Sequence, residues 1–299
     1  MKPLTDSQGA IALARPRVLE YLTLTKPELT LLSMMTAVAG FLLGGGGENN
    51  AAEFLALVLG TGLVGGGAGA LNQFIERSHD ALMHRTAQRP LPAGRMSPGS
   101  ALVFGVACSL AGLVLLGAYT NLLTGFLGVV TLATYLLLYT PLKRLTPLAT
   151  IVGAVPGALP PVMGWTAVQG SLGGGAWLLF ALLFCWQMPH FLSLAWMYRK
   201  DYERAGYRIL TVLDHDGRRT ARQILVFLAL LLPVSVGLTA TGDLGFLYAA
   251  GAAITGLAFV IAGIRFAGSR TAVAARSLFL ASLAYFPLLF LFMILDRIF

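Results

Sequence analysis

Charge is scarce in this chain. Only 11% of its 299 residues are Asp, Glu, Lys or Arg, against 57% apolar. A soluble domain carries about a quarter charged residues, so a mean hydropathy of +0.76 excludes that class. Cysteine is nearly absent. Cys108 and Cys185 stand singly inside apolar runs without CxxC spacing. They exclude a disulfide framework or a thiolate metal site and read as small core residues. No Gly-Lys-Ser/Thr follows the glycines Gly62, Gly65, Gly66, Gly67 and Gly69, so they form no phosphate loop. Inside an apolar run they suit close helix packing, as do Gly153 and Gly157. No stacking platform or basic recognition helix accompanies the net charge of +8, which excludes nucleic acid as a partner. A cleavable signal is not expected, because the only apolar run before Lys26 is Ala10 to Ala14, too short for one.

Long apolar runs are abundant. Nine are expected near 28–46, 52–75, 99–119, 122–140, 147–168, 175–198, 222–240, 244–265 and 275–295, each long enough or nearly so to cross a bilayer. Only helices or a closed barrel satisfy so much backbone in lipid. The expected fold class is therefore all-α, a polytopic nine-helix bundle over 27–299 preceded by a cytoplasmic segment, 1–26. Basic residues orient it. Four precede the first span (Lys2, Arg15, Arg17, Lys26), and four lie between spans 2 and 3 (Arg77, Arg85, Arg89, Arg95). Lys143 and Arg144 lie between spans 4 and 5. Seven follow span 6 (Arg199, Lys200, Arg204, Arg208, Arg218, Arg219, Arg222) and three flank the 8–9 loop (Arg265, Arg270, Arg276), leaving only Arg297 opposite. That face is expected to be cytoplasmic, with anionic head groups and the bilayer as its surroundings. Two long loops, 76–98 and 199–221, follow the second span of each group of four, which hints at an internal duplication.

Asn72, Glu76 and Asp80 recur every four residues where span 2 meets its charged loop. On a helix this spacing stacks the three oxygen-bearing side chains along one face. Such a row suits Mg2+ bridging to phosphate oxygens. Arg85, Arg89 and Arg95 follow, the residue type that grips phosphate with a fork of donors. A charged interhelical loop is ordinarily a solvated, topology-setting loop; the ordered spacing argues for more. Asp201, after span 6, is a second acid for the same metal, and Lys143 and Arg144 are open to topogenic or phosphate roles.

Gln187, Pro189 and His190 lie within span 6. A histidine at bilayer depth is costly, and two roles are open: a hydrogen bond to a neighbouring span, or function. Eleven residues close three helical turns, so His190 and Asp201 would share a face about 16 Å apart, with Pro189 able to bend the axis. A cavity from a surface phosphate site down to an apolar histidine follows. A transporter would place ionisable groups at the midplane of both halves, and here the acids cluster at the surface.

The row Asn72-xxx-Glu76-xxx-Asp80 is similar to the first acidic motif of the UbiA-type intramembrane prenyltransferases, nine-span enzymes that use Mg2+ and an isoprenoid diphosphate. More closely, the chain resembles the protohaem IX farnesyltransferases, or haem O synthases. The resemblance is carried by Leu71-Asn72-Gln73-Phe74, Asp80 to Thr86, Arg89-Pro90-Leu91-Pro92, Tyr139 to Arg144 and Pro156 to Pro161. Trp186 to Phe191 and Asp201-Tyr202 with Ala205-Gly206 complete it. It implies transfer of farnesyl from farnesyl diphosphate to a vinyl group of haem B, with hydration, in haem A synthesis. It further implies Asn72, Glu76, Asp80 and Asp201 as Mg2+ ligands, with these and Lys143 catalytic. Arg77, Arg85, Arg89, Lys143 and Lys200 would contact diphosphate, and His190, Trp186 and Gln187 would contact haem. His190 in its Trp-Gln-x-Pro-His setting favours haem over a quinone ring. The implied setting is a bacterial-type inner membrane with the site facing the cytoplasm. A haem A synthase or terminal-oxidase assembly protein would be the partner. Where the wider superfamily has a second Asp, this chain has Ala205; Glu203 is the acid that could compensate.

Overall fold

The computed structural model describes residues 16–242 and 244–298; Lys2, Arg15 and the run Ala10 to Ala14 lie outside them. Every regular element among the described residues is helical. In order these are α1 (Arg17–Leu24), α2 (Pro27–Leu43), α3 (Ala51–Asp80), α4 (Pro98–Tyr119), α5 (Leu122–Ala133) and α6 (Thr140–Leu142). Then come α7 (Ala149–Gln169), α8 (Gly174–Met197), α9 (Arg199–Arg204), α10 (Leu210–Leu213), α11 (Arg218–Gly237), α12 (Phe246–Ser269) and α13 (Ala272–Ile298). Eight helical stretches, with α5 and α6 forming one, are long and apolar enough to cross a membrane; α1 and α2, bent by 53°, make a ninth if taken as one span. The chain is an integral membrane protein.

The bend has a local cause. Pro27 opens α2, and a residue before proline is pushed out of the right-handed helical region. Lys26 adopts φ +49° instead, which breaks the α1–α2 axis and turns the lysine toward the bundle. α1 is no loose tail: Leu24 is buried with Ala70, Leu91 and Ala101, and Glu20 pairs with Arg95 at 2.7 Å.

α3 runs 30 residues, about 45 Å, against a hydrocarbon core of about 30 Å. The helix therefore continues past the expected end of span 2, and 76–80 is helix rather than loop. Nothing between Leu71 and Asp80 is Gly or Pro, so no residue stops it. Asn72, Glu76 and Asp80 are all buried on this extension.

Small residues set how closely the helices approach. α2 crosses α7 so tightly that a Cβ on Gly40 would strike the Pro161 carbonyl, and one on Gly164 the Ala37 carbonyl. Along α3–α4, a Cβ on Gly112 would come to 2.7 Å of the Gly60 carbonyl. α8 packs against α7, α11 and α13, and its Trp186, Met188 and Leu192 join Tyr248, Phe259 and Tyr285 in the largest core. Val103, Val114, Phe126, Ile254 and Ile264 are exposed on the outside, as a lipid-facing surface requires.

Candidate active site

The α3 row is the floor of a polar cavity of about 170 Å3, also lined by Lys26, Arg85, Arg89, Lys143 and Tyr207. Asn72 Nδ2 donates to Glu76 Oε2 at 2.9 Å and to Thr140 Oγ1 at 3.1 Å. Asn72 Oδ1 accepts from Lys26 Nζ at 2.6 Å. Glu76 Oε1 meets Lys143 Nζ at 2.5 Å and accepts from Tyr207 Oη at 3.1 Å. Asp80 Oδ2 meets Arg89 Nη1 at 2.7 Å. Each acid of the row is thus matched by a base from another segment. Burial opposes the charge on Lys143, but the Glu76 carboxylate, with Tyr139 and Tyr207, outweighs it and holds the ammonium well above the usual lysine range. Burial pushes the Tyr207 phenol up, so it stays protonated and donates.

Between α5 and α6 the chain makes a wide π-helical turn, Thr134–Tyr139, held by Thr140 Oγ1 on the Tyr135 carbonyl at 2.8 Å. Such turns cluster at functional sites because they re-aim side chains. Here Tyr135 and Tyr139 both line the cavity. Lys143 lies over the Tyr139 ring, 4.8 Å from its centroid.

A second cavity of about 210 Å3 lies deeper, lined by Thr36, Pro156, Gly157, Leu183, Trp186 and Gln187 among others. Lys26, Leu29, Tyr135, Tyr139, His190 and Phe191 line both. The two are therefore adjacent, one polar and one apolar, on either side of a shared wall. His190 stands at the junction.

Of the residues expected at the site, the structure gathers Asn72, Glu76, Asp80, Arg85, Arg89, Lys143 and His190 on the polar cavity, and Trp186 and Gln187 on the apolar one. Asp201 is adjacent rather than lining: its Oδ2 accepts from the Arg85 backbone N–H at 3.2 Å, and its Oδ1 lies 3.5 Å from Arg204. Asp201 holds the Arg85 loop in place. α8 ends at Met197 and Tyr198 (ψ 19°) separates it from α9, so His190 and Asp201 lie on two helices, and only His190 lines the polar cavity. Arg77 turns away, donating to the Phe74 carbonyl at 2.7 Å. Lys200 and Glu203 line a separate pocket with Arg199 and His215. Arg95, expected to grip phosphate, is tied instead to Glu20 and to the Gln88 carbonyl at 2.8 Å. The left-handed turn at Gly94 (φ +68°) sends it back toward α1. Among the described residues, no three His, Cys, Asp or Glu side chains form a ready-made metal cage.

Sequence reasoning misses three residues on this cavity: Lys26, Tyr135 and Tyr207. Lys26 carries a signal, a lysine flush against Pro27 at a span entrance, which by itself reads only as a topological charge. Ala205 packs with Met83 and Tyr207, which brings Tyr207 onto Glu76. At the position of the superfamily's second acid, this chain has a packing contact.

Residues 33–291 match the UbiA prenyltransferase family. The protoheme IX farnesyltransferase of Solibacter usitatus is 48% identical, over 93% of this chain and 98% of its own length. That of Salinibacter ruber is 47% identical, with 93% and 98% covered. In fold, the chain is similar to a UbiA homologue from Aeropyrum pernix K1, with a TM-score of 0.74 at 22% identity, covering 90% of this chain and 98% of the other. It is also similar to an Archaeoglobus fulgidus UbiA homologue bound to DMAPP and Mg2+, with a TM-score of 0.69 at 15% identity and coverages of 92% and 99%. The match spans nearly all nine expected spans and both acid-bearing segments, so the chain belongs to the UbiA prenyltransferase family, a family of membrane enzymes, and within it stands with the protohaem IX farnesyltransferases.

Proposed function

We propose that this enzyme transfers the farnesyl group of farnesyl diphosphate to a vinyl group of protohaem IX (haem B), with water added and diphosphate released, giving haem O for haem A synthesis. The observation that carries this is the pair of adjoining cavities with Lys26 and His190 in their shared wall. A diphosphate suits the basic end, and a greasy chain and a porphyrin suit the other. The relatives' activity toward protohaem supports the acceptor.

The donor set suits Mg2+. It offers hard oxygens from Asn72, Glu76 and Asp80 on one face, and Mg2+ takes one or two carboxylates plus substrate phosphates rather than a protein cage. Asp201, which braces Arg85, would complete the set from the rim. When bound, the ion neutralises the charge developing on the departing diphosphate. Lys26, Lys143, Arg85 and Arg89 share that load from fixed positions. As the C1–O bond of farnesyl diphosphate breaks, diphosphate leaves toward these bases and an allylic cation remains. The terminal vinyl carbon of haem attacks C1, water adds to the adjacent carbon, and a proton is lost. Leu29, Phe191 and Leu194 keep bulk water from the cation.

Purified protein given haem B, farnesyl diphosphate and Mg2+ is expected to yield a pigment heavier by one farnesyl group and one hydroxyl group. It should yield none once a chelator removes the metal. No change in haem mass under these conditions would overturn the reading.

We further place the polar cavity on the cytoplasmic face of a bacterial-type inner membrane, where the basic residues gather. Reporter fusions within 81–97 and 205–217 are expected to report cytoplasm, and one within 170–173 the opposite side. A split result for the first two would separate Asp80 from Tyr207, which one site cannot allow. A haem A synthase or terminal-oxidase assembly protein would receive the product.

A further inference from the structure

Two roles are open to His190, a haem ligand or a hydrogen-bonding partner of a neighbouring span. It has the geometry for both. Its Nδ1 lies 2.8 Å from Ser282 Oγ on α13. A serine hydroxyl has a single proton, and Ser282 donates it to the Phe279 carbonyl at 2.5 Å. In that arrangement the oxygen accepts from His190, which puts the ring proton on Nδ1 and leaves the lone pair on Nε2. Among the described residues no hydrogen bond reaches Nε2, and His190 lines both cavities. The ring is held by near-parallel stacking on Trp186, with centroids 5.2 Å apart and planes at 19°, and by Phe279 at 4.8 Å. The Trp186 indole N–H is in turn anchored on the Ser282 carbonyl at 2.9 Å. One residue of α13 thus touches both His190 and the ring stacked on it.

We infer that Ser282 is a positioning residue that presents His190 Nε2 to the iron of the acceptor haem. This rests on the haem reading above. Ser282 is fully buried and touches no substrate; it acts only through His190. An accepting group on the remote imidazole nitrogen fixes ring orientation and strengthens the ligand, and losing such a partner costs about 10–100-fold in metal affinity.

The test uses the full-length protein in detergent with ferrous and ferric haem B, comparing wild type, Ser282→Ala, His190→Ala and the double variant. Ser282→Ala is expected to weaken haem binding about tenfold or more. It should also lower the iron–histidine stretching frequency in resonance Raman, while farnesyl diphosphate binding stays unchanged. In the His190→Ala background, Ser282→Ala should have no further effect on haem affinity. An unchanged stretch and affinity in Ser282→Ala, with a wild-type stretch that His190→Ala abolishes, would overturn this inference alone. Haem spectra untouched by His190→Ala would overturn it together with the placement of haem at His190. An equal loss of haem affinity from Ser282→Ala with and without His190 would mark Ser282 as structural only, and would also overturn it.

Discussion

Asp80→Ala is expected to abolish turnover while the protein remains inserted and folded. Asp80 is the outermost acid of the α3 row, buried on the polar cavity and paired with Arg89 at 2.7 Å. Removing it takes away a candidate metal ligand and frees Arg89 to swing. Arg89 keeps a side-chain exposure of 22%, so it can rehydrate and the fold loses little. Losing one preorganised group that stabilises developing charge costs about 10²–10³ in kcat. Rates with saturating haem B and farnesyl diphosphate, beside a thermal melt, check this. A well-folded variant keeping more than about a tenth of the wild-type rate would have lost less than about 1.4 kcal/mol, and Asp80 would leave the catalytic set.

Lys143→Met is expected to cost stability as well as activity. Lys143 and Glu76 face each other at 2.5 Å with side-chain exposures of 11% and 4%. Truncating one partner of such a pair leaves a buried charge alone, a loss of about 3–5 kcal/mol. The Lys143 ammonium also lies over the Tyr139 and Tyr207 rings, contacts worth about 0.5–2 kcal/mol. Adding Glu76→Gln should recover much of the loss, because the lone charge is then gone. Unfolding of the single and double variants in detergent closes the cycle. Both variants should be inactive. A Lys143→Met protein as stable as wild type, or a double variant less stable than Lys143→Met alone, would mean that the pair does not hold the site together.

Both experiments turn on pairings of different legibility. The row Asn72, Glu76, Asp80 could be read directly, because a fixed helical period converts four-residue spacing into one face. Its placement on helix rather than loop needed only the absence of Gly and Pro through Asp80. The partner of each acid could not be read that way. Lys26 reaches Asn72 across 46 residues and Tyr207 reaches Glu76 across 131, and no local rule spans such distances. Arg85, Arg89 and Arg95 look equivalent as a run, yet Gly94 turns only the last one away from the cavity. Lys200 follows α8 closely, but the break at Tyr198 rotates it onto a different pocket.

What the sequence by itself determined is everything that depends on local pattern. The apolar runs dictate membrane helices because unpaired backbone cannot stay in lipid. The i, i+4, i+8 row dictates an acidic face. Only the tertiary structure decided which base sits on which acid, that the polar and apolar cavities adjoin, and that Ser282 meets His190. Those are contacts between helices distant in the chain. They are fixed by how closely Gly40, Gly164 and Gly112 let neighbouring backbones approach, since an interface without Cβ atoms sets the distance at which every other side chain must meet.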